Sequence, residues 1–114
     1  MRIDSYTFGS MTVDGKMHTS DLIVFPDRVS SSWWRVEGHS LCMEDLTEVT
    51  GYAPDVLIVG LGASGCMNIP SATREKLENA GIEVIDRNTG EAWQIFNEKI
   101  KEGKKVVGAF HLTC

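Results

Sequence analysis

The spacing of hydrophobic and polar positions along the chain changes at about residue 41. Before it, apolar residues fall into short runs closed by glycine or proline, which is typical of strands joined by tight turns. Residues 11–13 and 16–18 flank an Asp-Gly pair at 14–15, and this pair favours a two-residue hairpin because both turn positions need positive φ. Residues 21–25 are predicted as a further strand. The first third of the chain is therefore predicted to be β-rich.

Residues 33–36 are also predicted as a strand, since Trp33, Trp34 and a valine are strand formers and Gly38 follows. Adjacent strand residues point to opposite faces of a sheet. We therefore expect one of the two indoles to lie in the core and the other to mark a contact surface, where tryptophan is enriched.

Helical spacing begins after residue 41, where helices alternate with apolar strands. The predicted elements are a short acidic helix over 44–49, a strand over 55–60, a helix over 71–79, a strand over 82–85, a helix over 89–102 and a strand over 105–110. Three strands linked by two helices predict right-handed crossovers and a largely parallel sheet in this half. At 114 residues, we expect a single domain spanning residues 1–114.

A buried strand runs into a G-x-G-x-x-G motif at residues 60–65, and Asp86 stands where a ribose-binding acid would be expected. In a dinucleotide fold the helix begins inside the glycine motif, so that its N-terminal amides hold the phosphates. Here Pro70 would break such a helix, and the next helix is predicted to begin at Ser71. We therefore interpret the glycines, including Gly60 and Gly62, as a turn at a strand end, and expect no nucleotide cofactor.

Two other chemical motifs are incomplete. Ser64 lies in Gly-Ala-Ser-Gly-Cys, which lacks the spacing of the G-x-S-x-G nucleophile elbow, and Cys66 has no residue pattern that would activate its thiol. The pairs His39/Cys42 and His111/Cys114 could supply four zinc ligands only if both lay in turns, because residues three apart on a strand face opposite sides. No catalytic residue and no metal site are predicted.

Composition excludes several partners. Eleven basic and sixteen acidic residues give a formal charge of −5, the wrong sign for binding nucleic acid. The longest apolar run, residues 56–59, is far too short to span a membrane, and residues 1–4 become polar too early for a signal peptide. Three cysteines without a pairing pattern indicate reduced thiols and a cytoplasmic protein.

The C-terminal block carries a family resemblance. The pattern T-x-x-A-x-x-x-F/Y-N, then Glu-Gly, a short strand and His-Leu-Thr-Cys is represented by Thr89, Ala92, Phe96, Asn97, Glu102, Gly103 and residues 111–114. The chain thereby resembles the adipogenesis-associated-domain family of small proteins, which includes a mitochondrial complex I assembly factor. The resemblance covers nearly the whole chain and implies a three-layer α/β fold with a mixed sheet and N-terminal β-hairpins. It implies no reaction, catalytic residue or cofactor.

Two classes of function follow from these observations. The first is a non-enzymatic binding or assembly module that acts through protein contacts, with self-association left open and Trp33 or Trp34 at the contact surface. The second is a small-ligand protein or an enzyme with a pocket near Gly60–Gly62, where strand ends of α/β sheets bind ligands. Convergence of Ser64, Arg87 and Asn97 around that pocket would favour the second. Asn97 itself is expected to bond a neighbouring loop and to support structure.

Overall fold

The computed structural model describes residues 1–114. Its strands are β1 (Ile3–Thr7), β2 (Ser10–Val13), β3 (Lys16–His18), β4 (Leu22–Val24), β5 (Val29–Ser31), β6 (Val56–Leu61), β7 (Glu83–Arg87) and β8 (Val106–His111). Its helices are α1 (Thr47–Tyr52), preceded by a 3₁₀ turn at Met43–Leu46, α2 (Ser71–Asn79) and α3 (Thr89–Lys101). No helix combines the length and the apolar character needed to cross a membrane.

The strands form two sheets. β1, β2 and β3 make an antiparallel meander, whereas the larger sheet has the order β5-β4-β8-β6-β7. Within the larger sheet β6 is parallel to both β8 and β7, and β4 is antiparallel to β8 and β5. The mixed sheet with a βαβαβ C-terminal half is therefore confirmed.

The five-stranded sheet is the middle of three layers, because apolar side chains leave both of its faces. Along β6, Leu57 and Val59 point to one face, while Val56 and Ile58 point to the other. The first face is covered by α1, α2 and the segment before them, through side chains such as Leu77. The second is covered by α3 and the meander. Every residue of β8, the central strand, is buried.

Most of the predicted elements are present. The predicted helix over 71–79 has those bounds, and α3 ends one residue before its predicted end. The 14–15 turn is confirmed, with φ of 48° at Asp14 and 80° at Gly15. The acidic helix predicted over 44–49 is instead divided between the 3₁₀ turn and α1.

The strand predicted over residues 33–36 is wrong: these residues lie in a loop. The Trp33 amide does bond the Asp21 carbonyl at 2.7 Å, but the Val36 amide donates to a side chain, Oδ1 of Asp45, at 2.9 Å. A side-chain acceptor therefore takes the place of a strand ladder. Conversely, β5 was not predicted, because its three residues include two serines and show no apolar alternation.

Candidate functional site

A buried ionic cluster lies where two neighbouring strands meet. Asp21 directly precedes β4 and His111 ends β8, and the antiparallel pairing of Leu22 with Phe110 places the two side chains together. Oδ2 of Asp21 lies 2.8 Å from Nδ1 of His111, and Oδ1 accepts a 2.8 Å hydrogen bond from the Leu112 amide. The register of the sheet thus creates an Asp–His pair from residues 90 positions apart.

Arg35 completes this cluster, which we call the ionic triad (Asp21, Arg35 and His111). Its Nη1 approaches Oδ2 of Asp21 at 2.9 Å, an ionic contact whose angles are not those of a hydrogen bond. Nε and Nη2 donate to the Gly38 carbonyl at 3.3 and 3.1 Å. The guanidinium lies 4.7 Å from the centre of the Trp33 ring, and its side chain is only 6% exposed. Arg35 therefore ties a loop to the end of the sheet where β4 begins and β8 ends.

The Asp21 contact assigns the proton on Nδ1 of His111. Because a carboxylate only accepts, Nδ1 carries a proton and donates it to Asp21, so the 3.1 Å approach of Arg35 Nη2 to Nδ1 is a contact and not a bond. Nε2 of His111 is buried and has no partner. The exposed His39 ring lies edge-on to His111, with 5.8 Å between ring centres. His111 thus has a buried ring nitrogen, without a hydrogen-bond partner, beneath His39.

Asp21 is held in its ionised form. Burial alone would raise its pKa, but the Leu112 amide, His111 and Arg35 outweigh burial, and the net pKa is lowered. The same carboxylate affects Tyr6, whose hydroxyl donates to the Leu112 carbonyl at 2.8 Å. Burial first, and then the charge of Asp21, raise the pKa of that phenol. The triad is therefore a charged centre that is largely shielded from solvent.

Residues 32–42, which we call the Trp34 loop, supply Arg35 to the triad. Trp33 packs against the core, and its Nε1 donates to the Asp45 carbonyl at 2.9 Å. Trp34 is 76% exposed and Val36 is 57% exposed. The predicted division into one packed and one exposed indole is confirmed, although a loop and not a strand produces it.

Residues 60–66, which we call the glycine loop, are closed by the chain itself. A Cβ on Gly60 would lie 2.8 Å from both Phe110 and Thr89, and one on Gly62 would lie 2.5 Å from the Cys114 carbonyl oxygen. Oγ1 of Thr89 accepts from the Gly62 amide at 2.9 Å and donates to the His111 carbonyl at 2.6 Å. No cleft or cavity opens here or elsewhere on the surface. The pocket expected at Gly60–Gly62 is not formed.

The three polar residues expected to line that pocket do not converge. Ser64 is exposed, and Arg87 is an exposed residue that faces Glu91 at 3.8 Å. Asn97 instead holds β1: its Oδ1 accepts from the Ile3 amide at 2.9 Å, and its Nδ2 donates to the Ile3 carbonyl at 2.7 Å. Its structural role is as predicted, but the partner is a strand and not a loop.

The remaining sequence motifs are resolved by local geometry. α2 begins at Ser71 with Pro70 at its N-cap, so the predicted separation of helix and glycine motif is confirmed. Asp86, the candidate ribose ligand, receives a 2.8 Å bond from Arg74. His39 and His111 do meet, but Cys42 Sγ donates to Oδ2 of Asp45 at 3.3 Å, and no three His, Cys, Asp or Glu side chains are arranged to hold a metal ion.

Sequence reasoning missed Asp21 and Arg35, the two charged members of the triad. Asp21 opens an apolar run and Arg35 follows two tryptophans, so each is a charge set beside strongly apolar residues. That was the available signal, because charged side chains next to a core need a partner. The identity of the partner depended on strand register, which is not visible locally.

The fold is that of a small α/β domain of three layers, with the triad at one end of its central sheet. The chain matches the family described as "Protein of unknown function (DUF498/DUF598)" over residues 3–111, and it belongs to that family.

Solved structures share this architecture. A conserved hypothetical protein from Pyrococcus horikoshii OT3 is 27% identical, with 100% of each chain covered and a TM-score of 0.82. A Rhodopseudomonas palustris protein is 30% identical over 95% of this chain and 80% of its own, with a TM-score of 0.78. A Bordetella pertussis protein described as an Mth938-like domain is 20% identical over 97% and 85%, also at 0.78, and is similar in fold.

Proposed function

We propose that this domain is a non-enzymatic, assembly-type module that binds another protein through the Trp34 loop. The observation that carries the proposal is the Trp34 indole, 76% exposed on a loop whose neighbouring residues are fixed by partly buried hydrogen bonds. An exposed tryptophan is costly to leave in water, and tryptophan is enriched among the residues that dominate interface energies.

The loop is held in place before any partner arrives. Trp33 is pinned to Asp45 on one side of Trp34, and Arg35 is pinned to Asp21 and Gly38 on the other. Binding by such a loop loses little backbone freedom, so more of the contact energy remains as affinity. Truncation of a well-packed interface tryptophan costs about 2 kcal/mol or more.

The net charge of the chain and its exposed apolar side chains indicate what kind of surface the partner needs. Trp34 and the 57%-exposed Val36 need an apolar socket on the other protein. The formal charge of −5 favours a basic rim around that socket, mainly by steering the encounter. A second copy of this chain is the alternative occupant. The same charge speaks against nucleic acid, and we place the protein in the cytoplasm on its unpaired cysteines.

The family resemblance supports the same direction. The adipogenesis-associated-domain family, which this chain resembles in its C-terminal block, includes a complex I assembly factor. Assembly factors act by contact and not by turnover, which fits a domain with an anchored, exposed indole and no formed pocket.

The test compares two exposed apolar residues. The full chain, Trp34→Ala and Met17→Ala are immobilised and exposed to an extract of the source cells, and bound proteins are quantified by mass spectrometry. Met17 is 64% exposed on β3 and serves as the control. We expect a partner that is retained by the Met17 variant and lost with Trp34→Ala. Capture that is equal with all three proteins would contradict the proposal.

Self-association is separated from this by light scattering after size-exclusion chromatography of the same proteins. A dimer that dissociates in Trp34→Ala would identify a second copy as the occupant. A monomer under all conditions leaves a different protein as the partner.

One observation favours a second candidate, a small-ligand site at His111. Nε2 of His111 is buried and unpartnered, so a ligand with a hydrogen-bonding group could pair with it after displacing the exposed His39 ring. Titration of ¹⁵N-histidine-labelled protein with small hydroxyl and amine compounds tests this. A saturable shift of His111 Nε2 would support it, and an unchanged resonance would contradict it.

A further inference from the structure

The C-terminal segment and the glycine loop bring the backbones of two cysteines together. The Cys66 amide donates to the Cys114 carbonyl at 3.0 Å, and the neighbouring Ala63 amide donates to the Thr113 carbonyl at 2.7 Å. These are residues 48 positions apart for the cysteines, so the contact is made by the tertiary fold. Both side chains are exposed, and both thiols are free.

The hydrogen bond limits the distance between the two residues. A Cα lies about 1.5 Å from its own nitrogen and about 2.4 Å from its own carbonyl oxygen, so a 3.0 Å bond holds the two Cα atoms within about 7 Å. Disulfides join residues whose Cα atoms are roughly 4.4–6.8 Å apart. The backbone of the folded protein is therefore compatible with a Cys66–Cys114 bond.

The backbone on both sides of the pair is fixed. Gly62 has a φ of +104° and packs against the Cys114 backbone, and Gly65 has a φ of +71° and packs against Asn88. Leu112 is bonded to Asp21 through its amide and to Tyr6 and Gly9 through its carbonyl. The two segments that carry the thiols are thus held against each other independently of any bond between the sulfurs.

We propose that Cys66 and Cys114 form a reversible disulfide that acts as a redox-sensitive modification site, independent of the function proposed for the Trp34 loop. The oxidant is a low-molecular-weight disulfide of the glutathione class. One protein thiolate attacks a sulfur of that disulfide, giving a mixed disulfide and releasing one small thiol. The second protein thiolate then attacks the mixed disulfide, forming the Cys66–Cys114 bond and releasing the second small thiol. Two protein thiols are oxidised and one small disulfide is reduced.

Cys42 provides an internal comparison. Its side chain is half-buried and donates to Oδ2 of Asp45 at 3.3 Å, and partial burial followed by the Asp45 carboxylate raises the pKa of its thiol. Because the thiolate is the reacting species, Cys42 is the cysteine expected to take least part in exchange.

The experiment incubates the folded full chain, at low micromolar concentration, with a series of reduced and oxidised glutathione mixtures. After acid quenching, intact mass shows the oxidation state, and non-reducing peptide mapping shows which cysteines are joined. We expect a monomeric product that has lost two hydrogens, with Cys66 and Cys114 linked. The same product is expected in Cys42→Ser and not in Cys66→Ser or Cys114→Ser, and excess reduced glutathione should reverse it.

Several outcomes would overturn the proposal. Glutathione adducts on separate cysteines without an internal link would show that the sulfurs do not meet. A link that involves Cys42, or a bond between two chains, would assign the reactivity elsewhere. Circular dichroism of Cys66→Ser and Cys114→Ser checks that a missing link does not result from unfolding.

Discussion

The glycine loop and the Trp34 loop lie at the same end of the five-stranded sheet, but only one of them leaves a large side chain exposed. The glycine loop resembles a ligand-binding motif in sequence, yet Thr89, Phe110 and Cys114 fill the space beside its glycines. The Trp34 loop resembles a buried strand in sequence, yet it presents an exposed indole. Close packing thus prevents a pocket from forming at the glycine loop. Side-chain anchors hold the Trp34 loop in a conformation that leaves its indole exposed.

The difference arises from where each loop finds its hydrogen-bond partners. The glycine loop uses backbone groups of the C-terminal segment, which requires close approach and therefore glycine at Gly62. The Trp34 loop adds the side-chain carboxylates of Asp21 and Asp45 to its backbone bonds, and these leave room for large side chains between them. The following variants test this contrast, beginning with the largest expected effect.

Asp21→Asn should destabilise the protein by about 3 kcal/mol or more, because it leaves the buried Arg35 without its counter-charge. The control is Asp27→Asn, since the Asp27–Arg28 pair is exposed on both sides and contributes little. The free energy of unfolding from urea denaturation is the measurement. Equal stability of the two variants would show that the triad does not hold the Trp34 loop.

Gly62→Ala should cost about 2–4 kcal/mol, because a positive φ and contact with the Cys114 backbone act together. Gly81→Ala separates the two causes, since Gly81 has a φ of +82° but open space around its Cα. That control should cost roughly 1–2 kcal/mol from the backbone alone. If both variants lost the same stability, the glycine loop would not be closed by packing.

Asn97→Ala should cost about 1–3 kcal/mol, because the amide and the carbonyl of Ile3 both lose their partner. Asn79→Ala, at the exposed end of α2, is the matched control, since its side chain makes no hydrogen bond and little change is expected. Thermal unfolding followed by circular dichroism measures both. An unchanged melting temperature in Asn97→Ala would contradict the role assigned to this side chain.

Acid should weaken the triad before it affects the glycine loop. Because the pKa of Asp21 is lower in the folded protein than its ordinary value of 3.8, its ionised form stabilises the fold above about pH 4. This contribution is lost as the pH falls from there through the folded-state pKa. Unfolding free energies between pH 6 and pH 2 should therefore fall more steeply in the wild type than in Asp21→Asn, and parallel curves would refute the assignment.

The two tryptophans should differ although they are neighbours. Trp33→Ala removes a core contact and the bond to the Asp45 carbonyl, and we expect a loss of about 2 kcal/mol for this half-buried ring. Trp34→Ala should change stability by no more than about 0.5 kcal/mol, since its ring is exposed. Urea denaturation of both variants measures this, and a large loss in Trp34→Ala would place its role in folding and not in binding.

Local sequence rules were sufficient for most elements and insufficient for the candidate sites. Pro70 and Ser71 are sufficient to predict the start of α2, and the Asp-Gly pair at 14–15 is sufficient to predict its hairpin. Both predictions succeed because φ preferences and capping act within a few residues. Residues 33–36 failed under the same rules, because Asp45 supplied a hydrogen-bond acceptor that no propensity scale includes.

The sequence by itself therefore determined the alternation of helices and strands, the mixed α/β class and the absence of a helix at the glycine motif. The tertiary structure alone decided which residues meet: Asp21, Arg35 and His111 in one centre, and Cys66 beside Cys114. The physical reason is the distance along the chain over which each kind of interaction acts. Turn and helix preferences are set by neighbours in the chain, whereas ion pairs and the backbone contact between the two cysteines depend on sheet register and loop packing, which join residues from distant parts of the sequence.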